Sequence, residues 1–202
     1  MEQGWYVFVD LMGTFAFGVS GALAGREKRL DPFGVFVVTY VTACGGGVIR
    51  DLCLGSLPPV GISDWRYVGC VVLAASVTMW MQPLLDKIRH PIVWFDSLGL
   101  GLFAVVSAQK SLQLANNPEV ALVLGVIAAV GGGVLRDVLL NRVPVILQKE
   151  IYALAAFAGA AVQVFGHWME WSPVFTPWLA VSTCFLIRSF ALRYSWSLPR
   201  SW

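Results

Sequence analysis

Apolar runs of about 17 to 25 residues, the length that crosses a roughly 30 Å hydrocarbon layer as a helix, recur at residues 5–24, 33–57, 65–82, 92–110, 119–143, 150–167 and 174–192. Short polar connections separate them. Trp5, Trp65, Trp80, Trp94, Trp168, Trp171, Trp178 and Trp196 fall at or near the proposed ends, where amphipathic rings sit at headgroup level. The pattern predicts an all-α integral membrane protein of seven transmembrane helices.

Composition sharpens this. The chain of 202 residues is 57% hydrophobic and 13% charged, against roughly 25% charged for a soluble domain, which excludes a disordered chain and argues against a soluble globular one. A net charge of +2, with no long basic run, argues against a nucleic-acid partner. Cys44, Cys53, Cys70 and Cys184 form no CxxC pair and read as small apolar residues of membrane helices. His90 and His167 sit beside Pro91 and Trp168 at span ends. No metal set, no cofactor motif and no Ser/His/Asp constellation is present, so an enzyme is not expected. The first run lacks a preceding basic segment and reads as a retained helix, not a signal peptide.

Lys and Arg set the orientation. Arg26, Lys28 and Arg29 follow the first run, Lys87 and Arg89 the third, Arg142 and Lys149 flank the end of the fifth, and Arg193 and Arg200 follow the seventh. The alternate connections hold only Arg66 and Lys110. By the positive-inside rule the N-terminus lies outside and residues 193–202 form a cytoplasmic tail. The cluster Arg26-Glu27-Lys28-Arg29 is most simply a topology determinant, and contact with anionic membrane lipids is compatible with it.

Sliding the chain by 86 positions aligns Asp10 with Asp96, Gly13 with Gly99, Phe17 with Phe103, Pro32 with Pro118 and Pro58 with Pro144. The densest match sets Gly45-Gly46-Gly47-Val48-Ile49-Arg50-Asp51 against Gly131-Gly132-Gly133-Val134-Leu135-Arg136-Asp137. Residues 5–82 and 92–167 are thus two copies of a three-span unit, with 174–192 unpaired. An odd number of spans per copy makes the second copy inverted.

Each glycine triplet falls near mid-membrane by the 1.5 Å helical rise. It is either a packing notch that lets helices approach closely or a break that frees carbonyls toward a cation. Its repetition before Arg-Asp favours the break. Arg50, Asp51, Arg136 and Asp137 lie at a depth where an ionisable residue costs about 2.5 to 3.5 kcal/mol on insertion scales. Because adjacent helical residues do not face each other, the expected ion pairs are Asp10–Arg50 and Asp96–Arg136. Asp51 and Asp137 would then be left free to attract cations, although a purely structural network of all six remains the alternative. Lys110, at the end of the fourth span where the other copy has Ala24, either snorkels to the interface or stands at a pore mouth as a gate.

The segments GTFAFGVSGALAGREKRLDPFGVFVVTYVTACGGGVIRDLCLGSLP and DSLGLGLFAV with AAVGGGVLRDVLLNRVPVIL resemble the prokaryotic trimeric intracellular cation (TRIC) channel family, also known as YadS/YicG-like or glycine-transporter-type proteins. The likeness covers residues 5 to 190, and the doubled GGGxxRD is specific. It implies two inverted three-helix repeats plus a seventh helix, a homotrimer with one pore per protomer in a prokaryotic inner membrane, and conduction of monovalent cations, potassium and sodium. It also implies a pore between kinked second and fifth helices, with Gly45 to Gly47, Arg50, Asp51, Gly131 to Gly133, Arg136 and Asp137 as motif residues. Lipid regulation of the animal kind is not carried over. Without a TVGYG filter, modest discrimination between potassium and sodium is expected. The alternative functional class is a secondary carrier for a small zwitterion such as glycine; a non-transporting scaffold leaves the doubled Arg-Asp motif unexplained.

Overall fold

A computed structural model describes residues 2–81, 90–149 and 151–194. Among them every regular element is helical: α1 Glu2–Glu27, α2 Pro32–Cys53, α3 Val60–Ser63, α4 Trp65–Trp80, α5 Pro91–Ala115, α6 Pro118–Leu139, α7 Ile151–Trp168 and α8 Phe175–Arg193, with a 3₁₀ turn at Val145–Leu147. Helices suit an apolar solvent because each backbone N–H and C=O is satisfied inside its own segment. Six of them, α1, α2, α5, α6, α7 and α8, are long and apolar enough to cross a membrane.

The third predicted span is the exception. Helix α4 has 16 residues, about 24 Å at 1.5 Å per residue, and ends at Trp80, short of the predicted 82; Gln82 and the Lys87 and Arg89 that follow the span lie outside the described residues. So do Glu150, Trp196, Arg200 and the tail from residue 195. Three other boundaries shift. Helices α2 and α6 stop at Cys53 and Leu139, short of the predicted 57 and 143. Helix α5 continues to Ala115, so Lys110 lies inside the helix, not at its end.

The duplicated sequence begins and ends its long helices alike. Asp31 caps α2 by accepting from Gly34 N at 2.7 Å, and Asn117 caps α6 by accepting from Glu119 N at 2.8 Å and Val120 N at 3.1 Å. A proline follows each cap, where its missing N–H costs nothing. Beyond the last turns, Ser56 N bonds to the Asp51 carbonyl at 2.9 Å and Arg142 N to the Asp137 carbonyl at 2.8 Å. Helix α4 starts after Asp64, whose carboxylate accepts from Arg66 N at 2.9 Å; hydrogen bonding to the Arg66 guanidinium holds the Asp64 carboxyl below the ordinary carboxylate range.

Helices α1 and α5 run through the middle of the bundle and pack on each other. Their crossing is reciprocal: the Phe103 ring lies over Gly13, the Phe17 ring lies over Gly99, and the two ring centroids are 5.4 Å apart. Large apolar side chains face outward, Trp80 at 87% exposure and Phe33 at 74% among them, which suits lipid and not water. Thr39 and Thr42, fully buried, donate to the carbonyls four residues back, each at 2.6 Å, so these hydroxyls are satisfied within their own helix.

The glycine triplets do not break their helices. Both α2 and α6 are continuous α-helix through all three residues, which corrects the expected unwinding. The glycines instead let the two backbones touch. A Cβ at Gly46 would collide with the Ala128 carbonyl, and one at Gly132 with the Thr42 carbonyl. Close approach of this kind is what small residues provide between membrane helices.

Gly46→Ala or Gly132→Ala should therefore destabilise the protein by about 1–3 kcal/mol, the usual cost of overpacking. Gly69→Ala, which meets nothing within 4 Å, should be neutral or stabilising by up to about 1 kcal/mol through helix propensity. Unfolding of the three variants in detergent provides the comparison.

Candidate functional site

Two buried clusters of carboxylates around a guanidinium occupy opposite halves of the bundle. In the first, Arg50 of α2 is 1% exposed. Its Nε donates to Asp51 Oδ1 at 2.8 Å, its Nη1 donates to the Ser107 hydroxyl of α5 at 3.3 Å, and Asp10 Oδ1 of α1 lies 3.9 Å from Nη1. Tyr67 of α4 donates its hydroxyl to Asp10 Oδ2 at 2.6 Å. Asp51 also accepts from Lys110 Nζ at 2.7 Å and from Val60 N at 3.1 Å.

The second cluster repeats the plan. Arg136 of α6, 3% exposed, donates Nε to Asp137 Oδ1 at 2.9 Å and Nη1 to Asp96 Oδ1 of α5 and to the Ser20 hydroxyl of α1, each at 2.7 Å. Asp137 Oδ2 accepts from Val145 N at 3.2 Å. Tyr152 of α7 stands at the corresponding place, but its hydroxyl, unlike that of Tyr67, makes no hydrogen bond among the described residues; Gly133 leaves room for it, since a Cβ there would meet it at 2.9 Å.

The central helices each serve both clusters. Helix α1 supplies Asp10 to one and Ser20 to the other, about 15 Å further along its axis. Helix α5 supplies Asp96 to the second cluster and Ser107 with Lys110 to the first. The carboxylate on each central helix therefore meets the guanidinium of its own repeat copy, while the serine on the same helix reaches the guanidinium of the other copy.

Both predicted ion pairs are present, Asp96–Arg136 in direct contact and Asp10–Arg50 at 3.9 Å. The expectation about the neighbouring aspartates needs correction. Each Arg folds its long stem back far enough for Nε to reach the Asp that follows it, so Asp51 and Asp137 are bound and not free. Asp51 is the most heavily engaged, with Arg50, Lys110 and a backbone N–H on one carboxylate. Of the glycines, Gly46 and Gly132 form the helix contact, Gly45 faces Leu135, Gly131 faces Gly46, and Gly47 and Gly133 face the Arg clusters.

Five contributors escaped sequence reasoning: Tyr67, Tyr152, Ser20, Ser107 and Arg188. The two tyrosines are offset by 85 positions and not 86, so an ungapped comparison hides their equivalence. Arg188 carried a plain signal, an arginine inside an apolar run. It is 2% exposed, its guanidinium carbon lies 4.7 Å from the Tyr152 ring centroid, and its Nε has no hydrogen-bond partner.

The clusters differ in access. The second forms part of the wall of a cavity of about 670 Å³, lined also by Glu27, Arg142, Lys149 and Arg188. At its rim Arg142 pairs with Glu27 at 2.8 Å. The space at the first cluster is about 10 Å³, too small for more than a single water. Among the described residues no group of three or more His, Cys, Asp or Glu gathers to hold a metal ion, and the four cysteines are unpaired.

A family model described as "Glycine transporter" matches the chain twice, over residues 7–83 and 93–168. The chain is 35% identical over 204 residues to a UPF0126 membrane protein of Vibrio cholerae, covering 98% of this chain and 84% of that one. It is 36% identical over 196 residues to the UPF0126 inner membrane protein YadS of Escherichia coli K12, covering 95% and 94%. Among solved structures, a TRIC cation channel matches at 33% identity with a TM-score of 0.86, covering 96% of each chain. The TRIC trimeric intracellular cation channel orthologue from Rhodobacter sphaeroides matches at 33% identity and a TM-score of 0.86, covering 95% of this chain and 98% of that one.

Removing a buried guanidinium strands its carboxylates, so Arg50→Met should cost about 3–5 kcal/mol. Asp10→Asn should cost less, because Arg50 keeps Asp51 and Ser107. Thermal unfolding of the purified variants in one detergent checks the order.

Proposed function

The chain belongs to the TRIC and YadS family of glycine-transporter-type membrane proteins, and from that premise we propose that it is a passive monovalent cation channel, potassium-permeable, in a prokaryotic inner membrane. The observation that carries the reading is the charge at the second cluster. Asp96 and Asp137 lie on the wall of a wide cavity with, among the described residues, only Arg136 paired to them; Arg188, which balances the remaining charge, forms no ion pair with them, so the carboxylates still present oxygens to an entering cation.

The path we propose runs from this cavity past Asp137, along the contact of α2 and α6, to Asp51 at the other cluster. Gly45 to Gly47 and Gly131 to Gly133 form its narrowest part, where parting of two touching backbones would open the way. Lys110, bound to Asp51, is the gate at the far end. The cavity faces the cytoplasm by the distribution of Arg26, Lys28, Arg29, Arg142 and Lys149. The protomer has seven spans, α4 belonging to the third, in two inverted repeats with α8 as the unpaired helix. Three protomers, each with its own pore, make the assembly, a reading supported by the similarity to the trimeric channel orthologue from Rhodobacter sphaeroides.

A specific observation also favours the carrier alternative: one cluster is reached by a wide cavity and the other is sealed, the shape of a transporter facing one side. Glycine counterflow in liposomes would support that reading, and unitary currents the channel.

In planar bilayers with symmetric KCl the wild type should show unitary currents, and their absence would overturn the channel. Asp137→Asn should lower potassium conductance roughly threefold or more by removing the attracting charge. Lys110→Gln should raise the open probability by releasing Asp51.

A further inference from the structure

The duplicated motif brings two carboxylates and one guanidinium to each cluster, and each therefore carries one excess negative charge. The cation that offsets it is not duplicated. At the first cluster it is Lys110, with Nζ 2.7 Å from Asp51; the equivalent position in the other copy is Ala24, fully buried and uncharged. At the second cluster the buried offsetting cation comes from the unpaired helix α8, the cavity's Lys149 being exposed and Arg142 paired with Glu27. Arg188 lines the same cavity as Asp96 and Asp137 and is within electrostatic reach of Asp96. Yet among the described residues it forms no ion pair.

What holds Arg188 is an aromatic face. Its guanidinium rests on the Tyr152 ring, an interaction that fixes the plane of the group without consuming its N–H donors. A buried guanidinium with unspent donors beside an excess negative charge is a fixed competitor for that charge. A cation entering the cavity meets Asp96 and Asp137 with Arg188 already facing them. The two cations differ in kind: Lys110 is bound to its carboxylate, whereas Arg188 weakens the field without occupying the binding oxygens.

We propose that Arg188 is a specificity-determining residue of the cavity, setting how tightly cations are held at Asp96 and Asp137 and how far anions are excluded. For its conduction readout the inference rests on the channel reading; its binding readout does not. The test compares wild type with Arg188→Met, which keeps an unbranched stem, Arg188→Gln, and Arg188→Lys, which keeps the charge. Thallous ion, a potassium surrogate added as its nitrate, is titrated calorimetrically into each purified protein. Reversal potentials are then measured in bilayers across a KCl gradient.

Both neutral variants should bind thallous ion roughly tenfold more tightly than wild type, the scale of one unit charge a few ångströms away in a partly hydrated site. Their reversal potentials should move toward the potassium equilibrium value, and both differences should shrink in concentrated inert salt as the Debye length falls. Arg188→Lys should stay close to wild type, a rescue that a purely space-filling role would not produce. Equal thallous affinity in wild type and in whichever neutral variant folds would overturn the inference, as would a change of the same size in Arg188→Lys. If wild-type bilayers carry no current, the channel reading falls and the binding comparison still decides the role of Arg188.

Discussion

A buried arginine charge must be met within the protein, and at Arg50 and Arg136 the carboxylates that meet it organise the molecule. Arg50 and Arg136 are almost wholly removed from solvent, where an unpaired ion would cost several kcal/mol. Each is met from two directions, by the Asp beside it and by an Asp on a central helix. The second partner is what matters for the fold, since it ties α2 to α1 and α6 to α5. The serines complete the arrangement by joining each cluster to the other copy's central helix. Losing one guanidinium would therefore loosen three helices at once.

That ionic scaffold needs α2 and α6 to lie close, and the glycines make this possible. At Gly46 and Gly132 the nearest atoms are carbonyls of the facing helix, so the separation is set by backbone against backbone. Helix continuity through three glycines follows from the same packing: a segment enclosed by neighbours gains nothing by exposing its carbonyls. Gly47 and Gly133 serve the clusters directly, as both face their arginine and Gly133 leaves the space Tyr152 fills. The triplet thus combines two functions, helix contact and room for the charged side chains, that a sequence presents as one motif.

Much of this was legible from residue spacing. Six of seven apolar runs correspond to helices of spanning length, and the two long-range ion pairs followed from the depth of the charges. Three features were not legible, each for a physical reason. Adjacency on a helix argues against contact between Arg50 and Asp51, but a side chain with four rotatable bonds can curl back over its own turn. A glycine triplet suggests conformational freedom, whereas the space it vacates is the controlling property here. The tyrosines were hidden by a one-residue offset between copies, and Arg188 by its position in the helix without a repeat partner.

The duplication makes the two halves alike, so any directional behaviour must come from the residues that break the likeness. Lys110 and Arg188 are the charged ones at the clusters. A lysine bound to Asp51 leaves the first cluster neutral and closed; an arginine stacked on Tyr152 leaves the second neutral in sum yet open, with its positive and negative groups apart. The asymmetry thus resides in how each excess charge is compensated and not in the motif itself. A small cation can exploit charges that are separated, because it approaches the carboxylates without first displacing a bound ammonium. The open end then differs from the closed end in the chemistry of two side chains, Lys110 on α5 and Arg188 on α8, and these give an otherwise symmetric pair of clusters a direction.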